Sequence, residues 1–196
     1  MFKRVLVSVF IVLIMAATSH AAMIINVYEQ GSDVVIDGNG ALNLTGLTYT
    51  TSGFLGLDWM RPAEANLQAY GPTDGSVDVY SGIAGPGTFG SGWDATPDSA
   101  VSNYAFGLDG VSGGLRIDDN YLGDAIIFSQ TYLSETLASL GLTTGTYVWS
   151  WAGDSIQMNI DFTPPLAPVP EPATMLLLGS GVAGLAGLRR RAASKA

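Results

Sequence analysis

Short runs of alternating apolar and polar residues fill most of this chain. Ile25 and Val27 alternate with Asn26 and Tyr28. Val34 and Ile36 flank Val35 after Gly31-Ser32, and Leu42 and Leu44 alternate with Asn43 and Thr45 after Asp37-Gly38-Asn39-Gly40. A period of two bounded by turn residues is the strand signal, so these three runs predict a three-strand meander. Val77 and Val79 alternate with Asp78 and Tyr80, and Tyr104, Phe106 and Leu108 alternate with Ala105 and Gly107; both predict half-buried strands. Ala125 to Phe128 is continuously apolar, which suits a central strand covered on both faces. Leu133, Leu137 and Leu140 have helical spacing and Gly141 follows as a stop, predicting one short helical turn, the single helix expected in the body. The clearest hairpin comes last. Tyr147, Trp149 and Trp151 share one face, Ala152-Gly153-Asp154 turns, and Ile156, Met158, Ile160 and Phe162 share a face of the return strand. Pro164-Pro165 ends that strand, and the Pro-rich linker 164–169 is expected to be extended and semi-rigid.

The alternation breaks at both ends. Lys3 and Arg4 precede the eleven-residue apolar run Val5 to Met15, and Ala16-Ala17-Thr18-Ser19-His20-Ala21 supplies small residues around a cleavage site. This is the layout of a secretory signal peptide over 1–21, with Ser19 and Ala21 in the two small pockets and the cut between Ala21 and Ala22. An uncleaved membrane helix is the alternative, and the run is short for one. At the other end stand Pro170-Glu171-Pro172, an uncharged apolar run of sixteen residues from Ala173 to Leu188, the cluster Arg189-Arg190-Arg191, and a tail over 192–196. As a helix the run would be roughly 24 Å long against a hydrocarbon core of about 30 Å, a marginal single transmembrane helix. Its arginines would sit on the cytoplasmic side.

This ending, 170–191, resembles the PEP-CTERM sorting signal of exported bacterial proteins. Pro170, Glu171 and Pro172 fall on the naming triplet, Ala173 to Leu188 on the membrane segment, and Arg189, Arg190 and Arg191 on the basic cluster. The resemblance implies recognition by an exosortase, a membrane enzyme of the transpeptidase type, in a Gram-negative bacterium that makes exopolysaccharide. A plain anchor that nothing cleaves is the alternative. The stretches Leu42 to Leu47, Ala138 to Leu142 and Gly145 to Trp151 also resemble segments recurring in one group of PEP-CTERM proteins, which implies no particular activity.

Removing both ends leaves Ala22 to Pro168, 147 residues, enough for one domain with its own core. The charge balance then changes. Only Arg61 and Arg116 remain against sixteen acids, a net charge of −14 compared with −9 for the whole chain. Phosphate backbones are repelled, which argues against nucleic acid, while divalent cations or a solubilising shell are natural companions. The chain has no cysteine, and its one histidine, His20, leaves with the signal peptide. Disulfides, the common zinc sites, thiol nucleophiles and histidine-based general bases are thereby excluded from the exported body. Twenty-one glycines in 147 residues, about twice the usual ~7%, fit many short strands joined by tight turns.

Several motifs lose their chemistry in context. Gly110-Val111-Ser112-Gly113-Gly114 has the spacing of a nucleophile elbow, but no histidine can deprotonate Ser112 and no helix pattern follows, so it reads as a turn. Gly85 to Gly90 and Gly179 to Gly184 match G-x-G-x-x-G outside any strand-turn-helix unit. A glycosidase-type carboxylate pair is open by inventory, yet nothing singles one out. Two acidic clusters, Asp118-Asp119-Asn120 and Asp33 with Asp37 and Asn39, are the candidates for calcium, although neither forms an EF-hand loop and solvated turns explain them more simply. Trp59 and Trp93 lie in turn-like contexts, Asp58-Trp59-Met60-Arg61-Pro62 and Gly90-Ser91-Gly92-Trp93-Asp94. An indole beside Asp or Asn offers the apolar face and directional acceptors that a sugar ring needs, which makes these two the candidates for glycan contact. The alternative is that they fold over the end of the domain.

The expected architecture is an all-β, antiparallel, jelly-roll-like sandwich over 22–163, between a signal peptide and a sorting tail. The expected function is non-enzymatic: an exported, exosortase-sorted surface or extracellular-matrix protein associated with exopolysaccharide and biofilm, anchored by its C-terminal helix until processed. A carbohydrate-binding module and a carboxylate-based glycan hydrolase are the alternatives.

Overall fold

The computed structural model describes residues 23–72 and 75–162. The signal peptide, its Ala21/Ala22 junction, the linker, the Pro-Glu-Pro triplet, the apolar run and the arginine cluster lie outside the described residues. The described body is all-β, with two six-stranded sheets face to face. The strands are β1 (Met23–Gln30), β2 (Asp33–Gly40), β3 (Thr48–Phe54), β4 (Trp59–Arg61), β5 (Asn66–Ala69) and β6 (Ser76–Ser81), followed by β7 (Ser99–Ser102), β8 (Phe106–Asp109), β9 (Gly114–Asp118), β10 (Ile126–Tyr132), β11 (Gly145–Ser150) and β12 (Ser155–Ile160). One sheet runs β11-β12-β1-β2-β10-β7 and the other β3-β6-β9-β8-β5-β4.

The core lies between the sheets. Met23, Ile25 and Val27 of β1 point inward, together with Val34 and Ile36 of β2, Leu67 of β5, Phe106 and Leu108 of β8, and Leu115 and Ile117 of β9. Phe106 and Phe128 stack across the sandwich, with ring centroids 5.6 Å apart and planes 19° from parallel. The expected final hairpin forms, with Trp149 opposite Ile156 and Tyr147 opposite Met158. Trp149 is fully buried and donates from Nε1 to the Pro86 carbonyl oxygen at 2.8 Å, which satisfies the indole's only polar group.

Four expectations are corrected. First, the sandwich is not antiparallel throughout: β12 pairs with β1 in parallel, Met23 opposite Ile156 and Val27 opposite Ile160, so the first and last strands lie side by side in a mixed sheet. This pair does not belong to an antiparallel jelly roll. Second, the meander stops after two strands. Asp37-Gly38-Asn39-Gly40 is no turn but the end of β2, paired with both β1 and β10, and Leu42 to Thr45 form no strand. That segment's backbone is taken by side chains instead: Leu42 N–H donates to Tyr121 Oη, Asn43 N–H to Asp154 Oδ2, and the Asn43 carbonyl accepts from Trp151 Nε1. Third, Ile127 is 53% exposed, so β10 buries one face only. Fourth, 133–141 is a turn rather than a helix. The bond from Leu140 N–H to the Thr136 carbonyl has α-helical spacing but is followed by the tighter Gly141 N–H to Ala138 and the wider Leu142 N–H to Leu137, and of the three leucines only Leu137 and Leu140 reach the core. The one helical element among the described residues is a 3₁₀ turn at Pro62–Glu64, where Pro sits in the first turn and needs no donor.

Candidate functional site

The site begins at the sheet edge formed by β4. Met60 points inward and is fully buried, which by the pleat sends its neighbours Trp59 and Arg61 outward on one face. The segment 90–98 is fastened beside them. Met60 and Ala95 exchange both backbone hydrogen bonds at 2.9 Å, Ala63 N–H donates to the Gly92 carbonyl, and Ser91 and Gly92 N–H both donate to the Gly141 carbonyl. Gly141, at φ +65°, is the point where 90–92 crosses the 133–141 turn; a side chain there would meet Gly92 backbone at 2.5 Å. The expected helix stop therefore acts as a seat for the segment carrying Trp93.

Arg61 organises what this edge presents. Its Nε and Nη2 donate to the two carboxylate oxygens of Asp94 at 2.7 and 3.0 Å, and its Nη1 donates to Glu64 at 2.8 Å. The guanidinium carbon lies 5.1 Å from the centroid of the Trp59 ring and 5.5 Å from that of Trp93. The paired carboxylates hold the Arg61 proton more tightly than usual, and Arg61 holds the Asp94 carboxyl below the ordinary carboxylate range. Trp93 remains 67% exposed although its neighbours are fixed, whereas Trp59 is half-buried.

The two tryptophans thus meet around one cation. The sequence signalled the indoles but not the residue that joins them. Arg61 is one of two cations left in the body and stands two positions after Trp59 in a strand, a spacing that places both on one face. An open cleft of 300 Å³ is lined by Leu57, Trp59, Arg61, Asp94 and Thr96. A second, of 310 Å³, has Trp93, Asp94, Thr96, Asp98 and Glu135 among its lining residues. Behind them a buried polar relay ties the sheets: Gln130, fully buried, donates from Nε2 to the Gln68 carbonyl at 2.6 Å and accepts from Tyr132 Oη. Burial pushes the Tyr132 hydroxyl well above its ordinary pKa, so it stays a donor.

The acids of the two clusters proposed for calcium are engaged in local hydrogen bonds. Asp118 is 2% exposed and accepts from Asn120 N–H and Ala105 N–H, while its neighbour Asp119 is exposed and accepts from Asn120 Nδ2. Asp33 accepts from Ser32 Oγ and Ser134 N–H. Asp37 accepts from Tyr28 Oη at 2.6 Å, four positions and roughly 13 Å of strand away from Asp33. Among the described residues no group of three or more His, Cys, Asp or Glu side chains is placed to hold a metal. Ser112 lies in the β8–β9 turn, its N–H donating to Asp109 Oδ1, with Gly113 at φ +65°. The second cation, Arg116 of β9, lays its stem along Gly107 and buries Nη1 with no hydrogen-bond partner.

Residues 168–191 match the PEP-CTERM protein-sorting motif. This is the stretch holding Pro170, Glu171, Pro172 and the arginines, and it implies an exported, exosortase-processed protein. No curated protein and no solved structure matches the chain.

Proposed function

We propose that the exported sandwich is a non-enzymatic glycan-binding component of the cell surface or extracellular matrix, delivered by its sorting motif and held to exopolysaccharide through Trp59, Arg61 and Trp93. The observation that carries this reading is an exposed indole, Trp93, whose backbone is fastened on three sides and whose ring rests on an arginine fixed by Asp94 and Glu64. A solvent-facing aromatic held rigid by its surroundings is prepared for stacking without a large ordering cost. Carboxylates at the rim supply acceptors for sugar hydroxyls. The host would be a Gram-negative bacterium making an exopolysaccharide, the protein a part of its biofilm, and the C-terminal helix a membrane anchor until exosortase acts. In this reading the carboxylates of the second cleft, Asp94, Asp98 and Glu135, act as hydrogen-bond acceptors at the rim and not as catalysts.

A second reading rests on the outer face of the mixed sheet. Val148, Gln157, Ile24, Asn39 and Ile127 follow one another across five strands in a row without charge, on a body that is otherwise strongly acidic. Such a face suits protein contact, with the domain serving as a structural component. Retention of the full chain on host exopolysaccharide separates the two. Trp93→Ala should lose retention with an unchanged melting temperature; equal retention of variant and parent would remove the glycan reading and leave the structural one.

A further inference from the structure

We infer that the Trp59–Trp93 site takes a neutral glycan, not a uronate or otherwise anionic one, and engages it over two adjoining subsites; the inference rests on the glycan reading above. The two clefts share Asp94 and Thr96 as a common wall, and each contains one of the tryptophans. Each volume, 300 and 310 Å³, is at the small end for ligand sites, so a polymer bound in one continues naturally past Thr96 into the other.

Charge selects the class. Arg61 is the sole cation lining either cleft, and each of its three nitrogens already donates to a carboxylate. Around it stand Asp94 and Glu64, with Asp98 and Glu135 farther along the second cleft. The one positive charge is outnumbered, and the body adds a net −14 behind it. An anionic sugar would bring further acceptors and like charge to a rim that already has both in excess. A neutral glycan brings hydroxyl donors. Asp98 uses one oxygen on Leu133 N–H and Glu135 one oxygen on Ser139 Oγ, which leaves each carboxylate spare acceptor sites facing the cleft beside Trp93. Stacking on an indole and donation to carboxylates are the two contacts a neutral pyranose makes best.

The test uses the full chain in detergent micelles, passed over immobilised neutral polymers (glucan, galactan and mannan) and over alginate and polygalacturonate, at low salt and at high salt. The expected result is retention on at least one neutral polymer, unchanged by salt, and passage through both uronate columns. Retention on a uronate column would overturn the neutral class while leaving glycan binding intact; retention on none would remove both. For the second subsite, oligosaccharides of the retained polymer should bind at least tenfold more tightly as hexamers than as dimers. Trp59→Ala should abolish that gain with chain length. Thr96→Trp, which fills the shared wall from an exposed position, should abolish it without touching either indole. A gain that survives Thr96→Trp in a variant with parental melting temperature would reduce the site to a single subsite.

Discussion

Gly38→Ala isolates a single steric contact at the centre of the sandwich. Gly38 lies inside β2 opposite Phe128 of β10, and a Cβ built there would come within 2.2, 2.5 and 2.7 Å of three carbons of the Phe128 ring. Ordinary contact begins near 3.4 Å, so the ring must move by more than an ångström. It has nowhere easy to go, being 2% exposed and stacked on Phe106 of the facing sheet. Two effects oppose each other. Alanine in place of glycine in a strand stabilises by about 0.5–1 kcal/mol through the unfolded chain, whereas forcing a methyl into a filled core costs about 1–3 kcal/mol. At these separations the packing term wins, and the expected net loss is roughly 1–2 kcal/mol, a drop in melting temperature of roughly 2–8 °C at about 2–4 °C per kcal/mol for a domain near this size. Urea denaturation followed by tryptophan fluorescence would measure it. Phe128→Leu shortens the ring that collides, so in the double variant the combined loss should fall short of the sum by about 1 kcal/mol. A Gly38→Ala protein as stable as the parent, or strict additivity with Phe128→Leu, would refute the reasoning.

Arg116→Met should leave stability unchanged or raise it by about 1 kcal/mol in thermal melts, because it keeps the stem that covers Gly107 and removes a buried, unpartnered Nη1, while Arg116→Ala should lower stability through lost packing. The Tyr28 hydroxyl is pushed up to about 12, first by donating to Asp37 and then by burial. Below pH 10 the group is protonated whether folded or unfolded and its stabilisation is present in full and constant; between pH 10 and 12 the unfolded chain loses this proton first, so stability should fall as pH rises through that window. Denaturation at successive pH values should show this slope in the parent and a smaller one in Tyr28→Phe; equal slopes would mean the Tyr28–Asp37 bond is not made in solution.

Much of the sandwich was legible where side chains face one core. The alternations at Ile25/Val27, Val34/Ile36 and Ile156/Met158 point inward as their period requires, whereas the run at Phe106/Leu108, expected to be half-buried, is covered on both faces, with Ala105 and Gly107 buried as well. What was not legible depends on partners distant in sequence. Gly38 looks like a turn residue until Phe128, ninety positions later, is seen to need the space above it. Leu42 and Leu44 alternate like a strand, yet their segment is held by Tyr121, Asp154 and Trp151, which no local pattern reveals. The leucines from 133 to 140 have helical spacing, but Leu133 is exposed and Gly141 is needed as a crossing point. At the site, both indoles were singled out by turn-like contexts, which holds for Trp93 but not for Trp59, a residue of β4, while Arg61 gave no local signal because its partners, Glu64 and Asp94, come from two different segments.

The parallel pairing of β1 with β12 sets the order in which this molecule can be completed. β1 occupies the interior of its sheet, between β2 and a strand that begins more than 120 residues later. Contacts of such long range are formed late, since closing the loop costs entropy before the pairing repays it. A chain threaded through a membrane from its amino end therefore emerges with its first strand waiting for its last. The sheet closes only after Ile160 has crossed, when the sorting motif at 168–191 is next in line. The second sheet and the β1–β2 hairpin need no part of β12, so topology holds back one seam, the one nearest in sequence to the sorting motif.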